Sequence, residues 1–191
     1  VNEEVPETWD DFKRVTDKVS KKGTFGVSVP MGTGDMMASR FLNFYVRSHH
    51  EKLVKNGKAD LTNEVAIDGI NYWIDRYHKN SPKGSLNFKV LDQANLFYQG
   101  KTAFDFNSGF QISGVETNSR DLLNKISAAP IPKEKASDKD KGIETTNVPI
   151  VLWKQSKHKD ISRAFLKELY SEDDYVDFLL FNVKFNCYVV I

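Results

Sequence analysis

Segments with helical periodicity alternate along this chain with short segments typical of β-strands, and this alternation constrains the fold more than any other feature. The first helix is predicted from an apolar stripe with helical spacing, formed by Trp9, Phe12, Val15 and Val19. Thr8 precedes this stripe as a capping residue. Residues 24–29 alternate as in a strand, which Pro30 ends. Because helices and strands interleave, the sequence predicts an α/β fold.

The same alternation continues through the rest of the chain. The second helix is predicted to bury Met37, Phe41, Phe44 and Tyr45. Asn63 is predicted to cap a third helix, with an inner stripe of Ala66, Ile70, Trp73, Ile74 and Tyr77. A fourth helix is expected from Leu91 to Tyr98, and strands are expected at residues 102–106, 126–129 and 148–153.

Two further elements are predicted near the end of the chain. Residues 130–147 mix lysines with acidic residues, which is typical of a solvated loop. Asp160 is expected to cap a helix, with Ile161, Ala164, Phe165 and Leu169 on its buried side. Another helix is expected to begin at Ser171.

The composition excludes several classes of protein. Lys and Arg number 27 against 26 Asp and Glu, which gives a formal net charge of +1. A surface without a general excess of positive charge is poorly suited to neutralise phosphates, so nucleic acid is not expected as a partner. Cys187 is the single cysteine, which excludes an intramolecular disulfide and a cysteine-rich zinc site. No apolar run approaches the roughly 18–20 residues that span a bilayer.

The search for catalytic groups finds little. The chain has four histidines, His49, His50, His78 and His158. They are not spaced as metal ligands, so neither a metal nor another cofactor is expected. The sequence contains no Walker loop and no G-x-S-x-G nucleophile elbow. Asp35 and Asp105 could form a carboxylate pair of the glycosidase type, but nothing in the sequence indicates that they face each other. We therefore expect no catalytic residues and no enzymatic activity.

Polar loops that follow two predicted strands are better explained by binding. In open α/β sheets, ligands bind outside the carboxyl ends of the strands. Sugars need fixed hydrogen-bonding groups for their hydroxyls and an aromatic face for their C–H surfaces. Phe110 is either such an aromatic plate or a core residue. The candidate ligand-binding residues of the two loops are Thr33, Gly34, Asp35, Asn107, Ser108, Phe110 and Gln111.

Five segments, in order along nearly the whole chain, carry a family resemblance. They are PETWDDF at 6–12, SPKGSLNF at 81–88, FYQGKTAF at 97–104, APIP at 129–132, and KQSKHK at 154–159 with the apolar positions that follow it. Together they resemble motifs of the extracellular solute-binding proteins of family 1, the receptors of ATP-binding-cassette (ABC) importers. The resemblance ends near Asp177.

The resemblance implies a class II periplasmic-binding-protein-like fold, in which two lobes enclose a ligand cleft. Residues 1–147 would form most of the second, C-terminal lobe. Residues 148–191 would cross the hinge and return to the first lobe as an incomplete strand and helix segment. The opening portion of the first lobe, with its lipoprotein signal, would be missing.

The resemblance also implies a function and partners. The chain would bind a sugar or oligosaccharide between the lobes and deliver it to the permease subunits of an ABC importer. Phe110 would stand where the family often places a stacking Trp, and Asn147 would lie at the hinge approach. We expect an extracytoplasmic monomer that meets the membrane only through a missing N-terminal lipid anchor or through the permease.

Two alternatives remain open from the sequence. The chain could be a truncated or degenerate receptor remnant without transport activity, which the unusual residues after Asp177 would suit. It could also bind a solute other than a sugar, such as a polyol or a short peptide.

Overall fold

The computed structural model describes residues 5–21, 23–139, 149–176 and 188–190. The helices of this part are α1 (Trp9–Val19), α2 (Met37–Ser48), α3 (Glu64–Asn80), α4 (Val90–Tyr98), α5 (Phe110–Asn118) and α6 (Lys159–Leu169). The strands are β1 (Phe25–Val27), β2 (Val54–Lys55), β3 (Lys58–Ala59), β4 (Thr102–Asn107), β5 (Ala128–Ala129) and β6 (Tyr188–Val190). Short 3₁₀ segments cover Lys83–Asn87 and Arg120–Leu122. The predicted α/β class is confirmed.

The main sheet has four strands in the order β1-β4-β6-β5. β1 and β4 are parallel, with Phe25 opposite Thr102 and Val27 opposite Phe104. β6 is antiparallel to both β4 and β5, so β5 runs in the same direction as β4. The loops that follow β1, β4 and β5 therefore leave the sheet at one edge. β2 and β3 form a separate antiparallel hairpin.

Two predicted helix caps are confirmed. The backbone N–H of Asp11 donates to Thr8 Oγ1 at 3.1 Å, which satisfies one of the free donors at the start of α1. In the same way, the N–H of Ala66 donates to Asn63 Oδ1 at 2.9 Å at the start of α3. The expected burial of Met37, Phe41 and Phe44 in α2 is also confirmed, and Tyr45 packs at the edge of the core.

An aromatic core lies between one face of the sheet and helices α1, α2 and α3. Phe106 of β4 is at its centre and stacks on Trp9 with a ring-centroid distance of 6.1 Å. Both buried indoles have polar partners, since Trp9 Nε1 donates to Ser48 Oγ and Trp73 Nε1 donates to the carbonyl of Phe41. A smaller core around Phe97 and Val115 joins α4 to α5.

The predicted inner stripe of α3 is partly wrong. Ala66 and Trp73 are buried and Tyr77 packs against the core, but Ile70 and Ile74 are 38% and 45% exposed. The buried side instead includes Gly69, Arg76 and Asn80. Arg76 and Asn80 can be buried because α1 supplies hydrogen-bond partners for them. Arg76 Nη1 donates to Asp17 Oδ1 at 2.7 Å, and Asn80 Nδ2 donates to the same oxygen at 3.1 Å.

Predictions for the segment after residue 148 are less accurate. Residues 149–153 are apolar but have no strand structure. A strand needs a neighbouring strand for its backbone groups, and the described residues supply none here. α6 begins after His158, with Asp160 inside its first turn, and it has no buried residue. Ile161 and Phe165, expected inside, are 70% and 62% exposed. Residues 172–176 are helical, as expected after Ser171.

The predicted lobe boundary at residues 147 and 148 lies outside the described residues.

Candidate functional site

The loops that follow β1 and β4 form the candidate site. Because these strands are parallel neighbours, their following loops leave the sheet side by side at its carboxyl edge. Residues 31–36 form the first loop and lead into α2. The second loop follows Asn107, the last residue of β4, and consists of residues 108–109, and α5 begins directly after it at Phe110. The strand order thus brings together the two loops that the sequence had singled out.

The first loop is held against the 3₁₀ segment Lys83–Asn87 by backbone hydrogen bonds. The N–H of Met31 donates to the carbonyl of Ser85 at 3.0 Å, and that of Gly32 donates to the carbonyl of Phe88 at 2.9 Å. The approach is close enough to require glycine. A Cβ added to Gly32 would lie 2.6 Å from the Phe88 oxygen and 2.8 Å from the Asn87 oxygen. Backbone packing therefore fixes the path of this loop.

Asp35 ties the first loop to the start of two helices. Its Oδ1 accepts a hydrogen bond from the N–H of Met37 at 2.9 Å, and its Oδ2 accepts one from the N–H of Val90 at 3.0 Å. Carboxylates are favoured at these positions because helix N-termini carry free donors and partial positive charge. Asp35 is half-buried, and this capping function was not evident from the sequence.

The tips of the two loops offer polar and aromatic surface. Thr33 and Gly34 are exposed, and Gly34 has a φ of +80°, which glycine adopts without strain. Asn107 and Ser108 are half-buried, and Asn107 Oδ1 accepts a hydrogen bond from the N–H of Ser108 at 3.0 Å. Phe110 is 38% exposed at the first turn of α5. Its ring is therefore partly available to a ligand.

Asp105 lies behind the second loop and is fully buried. Its carboxyl group accepts hydrogen bonds from Gln93 Nε2, Gln111 Nε2 and Asn107 Nδ2, the last at 3.1 Å. Burial raises the pKa of Asp105 to about 6, although the hydrogen bonds from Gln93 and Asn107 act in the opposite direction. Asp35 and Asp105 thus have different environments, one capping helices at the loop and the other enclosed under it.

Gln111 is placed differently from what a direct ligand contact would require. Its side chain is fully buried, with Nε2 donating to Asp105 and Oε1 accepting a hydrogen bond from the Tyr98 hydroxyl at 3.0 Å. Both ends of its amide are therefore engaged within the protein. Burial also raises the pKa of Tyr98, and the nearby Asp105 charge adds to that shift. Asn147, the remaining predicted site residue, lies outside the described residues.

The structure brings together one group of potential metal ligands that the spacing of residues in the sequence did not predict. His50, Glu134 and Asp138 place one ligand atom each within 4.8 Å of one another. His50 Nε2 lies 3.6 Å from Asp138 Oδ2, and Lys135 Nζ lies 3.6 Å from Glu134 Oε1. This surface group is near the C-terminal end of α2, whereas Asp35 precedes its N-terminal end. A 12-residue helix separates them by about 18 Å. The group is therefore distinct from the candidate site.

Comparison with known proteins assigns the family. Residues 1–176 match the bacterial extracellular solute-binding protein family. An arabinooligosaccharide-binding protein from Bacillus subtilis (strain 168) is 27% identical over 170 residues, which are 87% of this chain and 38% of that protein.

Solved structures share the fold. An ABC transporter solute-binding protein from Agrobacterium radiobacter K84, in complex with ribitol, matches with a TM-score of 0.77 at 16% identity, over 97% of this chain and 47% of that one. Maltose-bound T. maritima MalE3 matches with a TM-score of 0.76 at 20% identity, over 96% and 48% of the two chains. The chain therefore has part of the solute-binding-protein fold and spans less than half the length of each protein named here.

These findings confirm the resemblance drawn from the five sequence motifs. No helix in the described residues combines the length and the apolar character needed to cross a membrane. The matching family consists of extracellular or periplasmic binding proteins and not of enzymes. From the match over residues 1–176, the chain belongs to the bacterial extracellular solute-binding protein family.

Proposed function

We propose that this chain supplies one wall of the ligand cleft in the receptor of an ABC importer, and that the ligand is a sugar, an oligosaccharide or a polyol. The observation that carries the proposal is the pair of polar loops at one sheet edge, one of which leads to the exposed ring of Phe110. The ligands of the relatives support this choice, since they are arabinooligosaccharide, maltose and ribitol. All three present hydroxyl groups attached to a C–H framework.

The loop residues suit such a ligand chemically. Phe110 would stack on the C–H face of the sugar, while Thr33, Asn107 and Ser108 would hydrogen-bond its hydroxyls. Asp35 would direct a remaining carboxylate lone pair at the ligand while it caps the two helices. Gly34 would allow close approach of the backbone, and Asn147 would contribute from the hinge side.

The proposed mechanism is binding with closure and involves no covalent chemistry. A ligand that contacts both lobes binds the closed form better, so it shifts the open–closed equilibrium toward closure. The closed, monomeric receptor then docks on the permease from the extracytoplasmic side. No step requires a catalytic residue, a metal or another cofactor.

Calorimetric titration of the full-length protein with maltose, an arabinooligosaccharide and ribitol tests this function. The Phe110→Ala variant should lower the affinity for the ligand that binds by about 10-fold, or 1.4 kcal/mol. Phe165→Ala is the matched control, because it removes a phenyl ring of α6, which holds neither of the two loops. Equal affinity of Phe110→Ala and the wild-type protein would remove Phe110 from the site.

A second experiment compares the 191-residue chain with the full-length protein. One wall of a cleft makes only part of the contacts, so the chain alone should bind the same ligand at least about 100-fold more weakly. Micromolar binding by the chain alone would contradict the two-wall cleft.

The alternatives give different results in the same assays. A degenerate remnant would bind none of the three ligands, even as the full-length protein. A peptide receptor would be stabilised by peptides and not by sugars in a thermal-shift screen. An enzyme would convert the ligand, so recovery of unchanged ligand after incubation supports a receptor.

A further inference from the structure

Three side-chain amides from three different elements meet at one buried carboxyl group. Asp105 receives hydrogen bonds from Gln93 of α4, from Asn107 at the end of β4 and from Gln111 of α5. Asn107 and Gln111 both donate to Oδ2, whereas Gln93 donates to Oδ1. Neutral amides and a single carboxylate thus join the strand that precedes the second loop to the helices on either side.

The same interactions extend to both ends of the second loop. Asn107 is the last residue of β4, and its Oδ1 accepts the N–H of Ser108. Gln111 is the second residue of α5 and directly follows Phe110. Its Oε1 is fixed in turn by the Tyr98 hydroxyl. The Asp105 carboxyl group therefore holds the residues immediately before Ser108 and immediately after Phe110.

We propose that Asp105 is a positioning residue that sets the conformation of residues 108–110 through Asn107 and Gln111, without touching the ligand itself. The inference rests on the proposed function, because it gives this turn its purpose in presenting Phe110 to a sugar. It also reassigns Gln111 from a direct ligand contact to a support of the loop.

The burial of this group indicates a purpose other than stability alone. Placing an ionisable group in a fully buried position opposes folding, and an apolar residue of similar size would avoid that cost. The network also leaves Gln93 Oε1 as a buried acceptor with no hydrogen-bond donor among the described residues. Gln93 Nε2 also donates to the backbone carbonyl of Phe106 at 3.1 Å, which holds the amide in this orientation.

Two variants at this position separate positioning from general stability. Asp105→Leu removes the acceptor for Asn107 and Gln111. Asp105→Asn keeps one oxygen for both of them and removes only the acceptor of Gln93, whose Nε2 keeps its hydrogen bond to the Phe106 carbonyl. Phe104→Leu is the matched control, because Phe104 lies in the same strand but its ring packs against Phe12 in the aromatic core.

Amide hydrogen exchange without any ligand gives the primary measurement. In Asp105→Leu, the amides of residues 108–111 should exchange at least about 10-fold faster than in the wild-type protein, after both rates are normalised to the amides of β1 and α1. Asp105→Asn should restore their protection to within about 3-fold of the wild-type protein. Phe104→Leu should accelerate amide exchange in residues 108–111 no more than it accelerates exchange in the surrounding core. Unchanged loop protection in Asp105→Leu, or an equal loss in Asp105→Asn, would overturn the positioning role.

A titration of the unmodified protein avoids any dependence on variant folding. Among the described residues, Tyr98 of α4 is the titratable side chain that faces Asp105 through Gln111, and the ordinary pKa of a tyrosine lies far above that of a carboxyl group. The ¹³C carboxyl signal of Asp105 and the side-chain amide signals of Asn107 and Gln111 should therefore shift with one common midpoint. Amide signals that do not follow the carboxyl signal would contradict the network.

Sugar affinity, measured separately in the full-length protein, distinguishes this inference from the proposed function. Asp105→Leu should weaken binding about as much as Phe110→Ala does, about 10-fold, and Asp105→Asn should preserve it. If no sugar binds, the proposed function fails while the exchange and NMR results still stand. If sugar binds but Asp105→Leu leaves both affinity and loop exchange unchanged, the positioning role fails alone.

Discussion

The carboxylate of Asp35 accepts a hydrogen bond from the backbone N–H of Val90 at 3.0 Å, across 55 positions of sequence. Its other oxygen accepts the N–H of Met37 at 2.9 Å. One side chain in the first loop thus caps both α2 and α4. The position of a candidate ligand residue is therefore coupled to the stability of the fold.

Asp35→Ala is expected to lower the free energy of unfolding by about 1–3 kcal/mol, because two helix N-termini lose a charged acceptor. Urea unfolding followed by circular dichroism measures this loss. Asp121→Ala serves as the control, since Asp121 is exposed and should change stability by less than about 0.5 kcal/mol. Equal stability of both variants would contradict the capping function of Asp35.

Gly32→Ala is expected to destabilise the protein by about 1–3 kcal/mol, because the new methyl group would press on the carbonyl oxygens of Phe88 and Asn87. Gly84→Ala is the matched control. A Cβ at Gly84 would meet only the Phe88 ring, at 3.4 Å, which the neighbour can accommodate. Thermal unfolding of the two variants makes the comparison, and equal melting temperatures would show that the loop can move aside.

Two phenylalanines should differ strongly in their contribution to stability. Phe41 is 1% exposed in the aromatic core, whereas Phe165 is 62% exposed on α6. Phe41→Ala should cost about 3–5 kcal/mol, and Phe165→Ala of this chain should cost less than about 0.5 kcal/mol. Equilibrium denaturation measures both. A loss above 1–2 kcal/mol for Phe165→Ala would indicate that α6 packs against the rest of the chain.

The stability of the protein should fall as the pH rises from about 4 to about 6. The pKa of Asp105 is about 6 in the folded protein against an ordinary value of 3.8, so the folded state holds this proton more tightly than the unfolded state does. The stabilisation is complete below the pKa of Asp105 in the unfolded state. It is lost as the pH rises through the pKa in the folded state, by up to about 3 kcal/mol. Urea unfolding at pH 4, 5, 6 and 7 measures this decline.

Asp105→Asn provides the comparison, because it should abolish the decline in that pH range. An unchanged slope in the variant would assign the titration to another group. Asp75 acts in a separate range and with the opposite sign. Hydrogen bonding to Lys79, with a further contribution from Arg76, lowers the pKa of Asp75 to about 2, so its contribution is lost only as the pH falls below about 4.

The candidate loops could be predicted from the sequence because strand ends and permissive turns leave local signals. The hydrogen bonds that their residues make within the protein could not. Asp35 was expected to contact a ligand, and the structure shows that it also caps two helices, while Gln111 is enclosed with Asp105. Asp35 meets Val90 of α4 across 55 positions of sequence, and Gln111 meets Asp105 of β4 and Tyr98 of α4. The burial of Asp105 depends on α4 and α5 covering the face of β4 opposite to Phe104 and Phe106.

Local sequence determined where α1 and α3 begin, through Thr8 and Asn63, and it determined the interleaving of helices with strands. Capping bonds and residue periodicity involve neighbours within one or two turns, so they can be deduced before the chain is folded. Tertiary structure alone decided which face of α3 is buried. Arg76 and Asn80 displace Ile70 and Ile74 from that face because Asp17 of α1 supplies their hydrogen-bonding partner. Burial of a polar group depends on a partner brought near by folding, and no local pattern in the sequence contains that information.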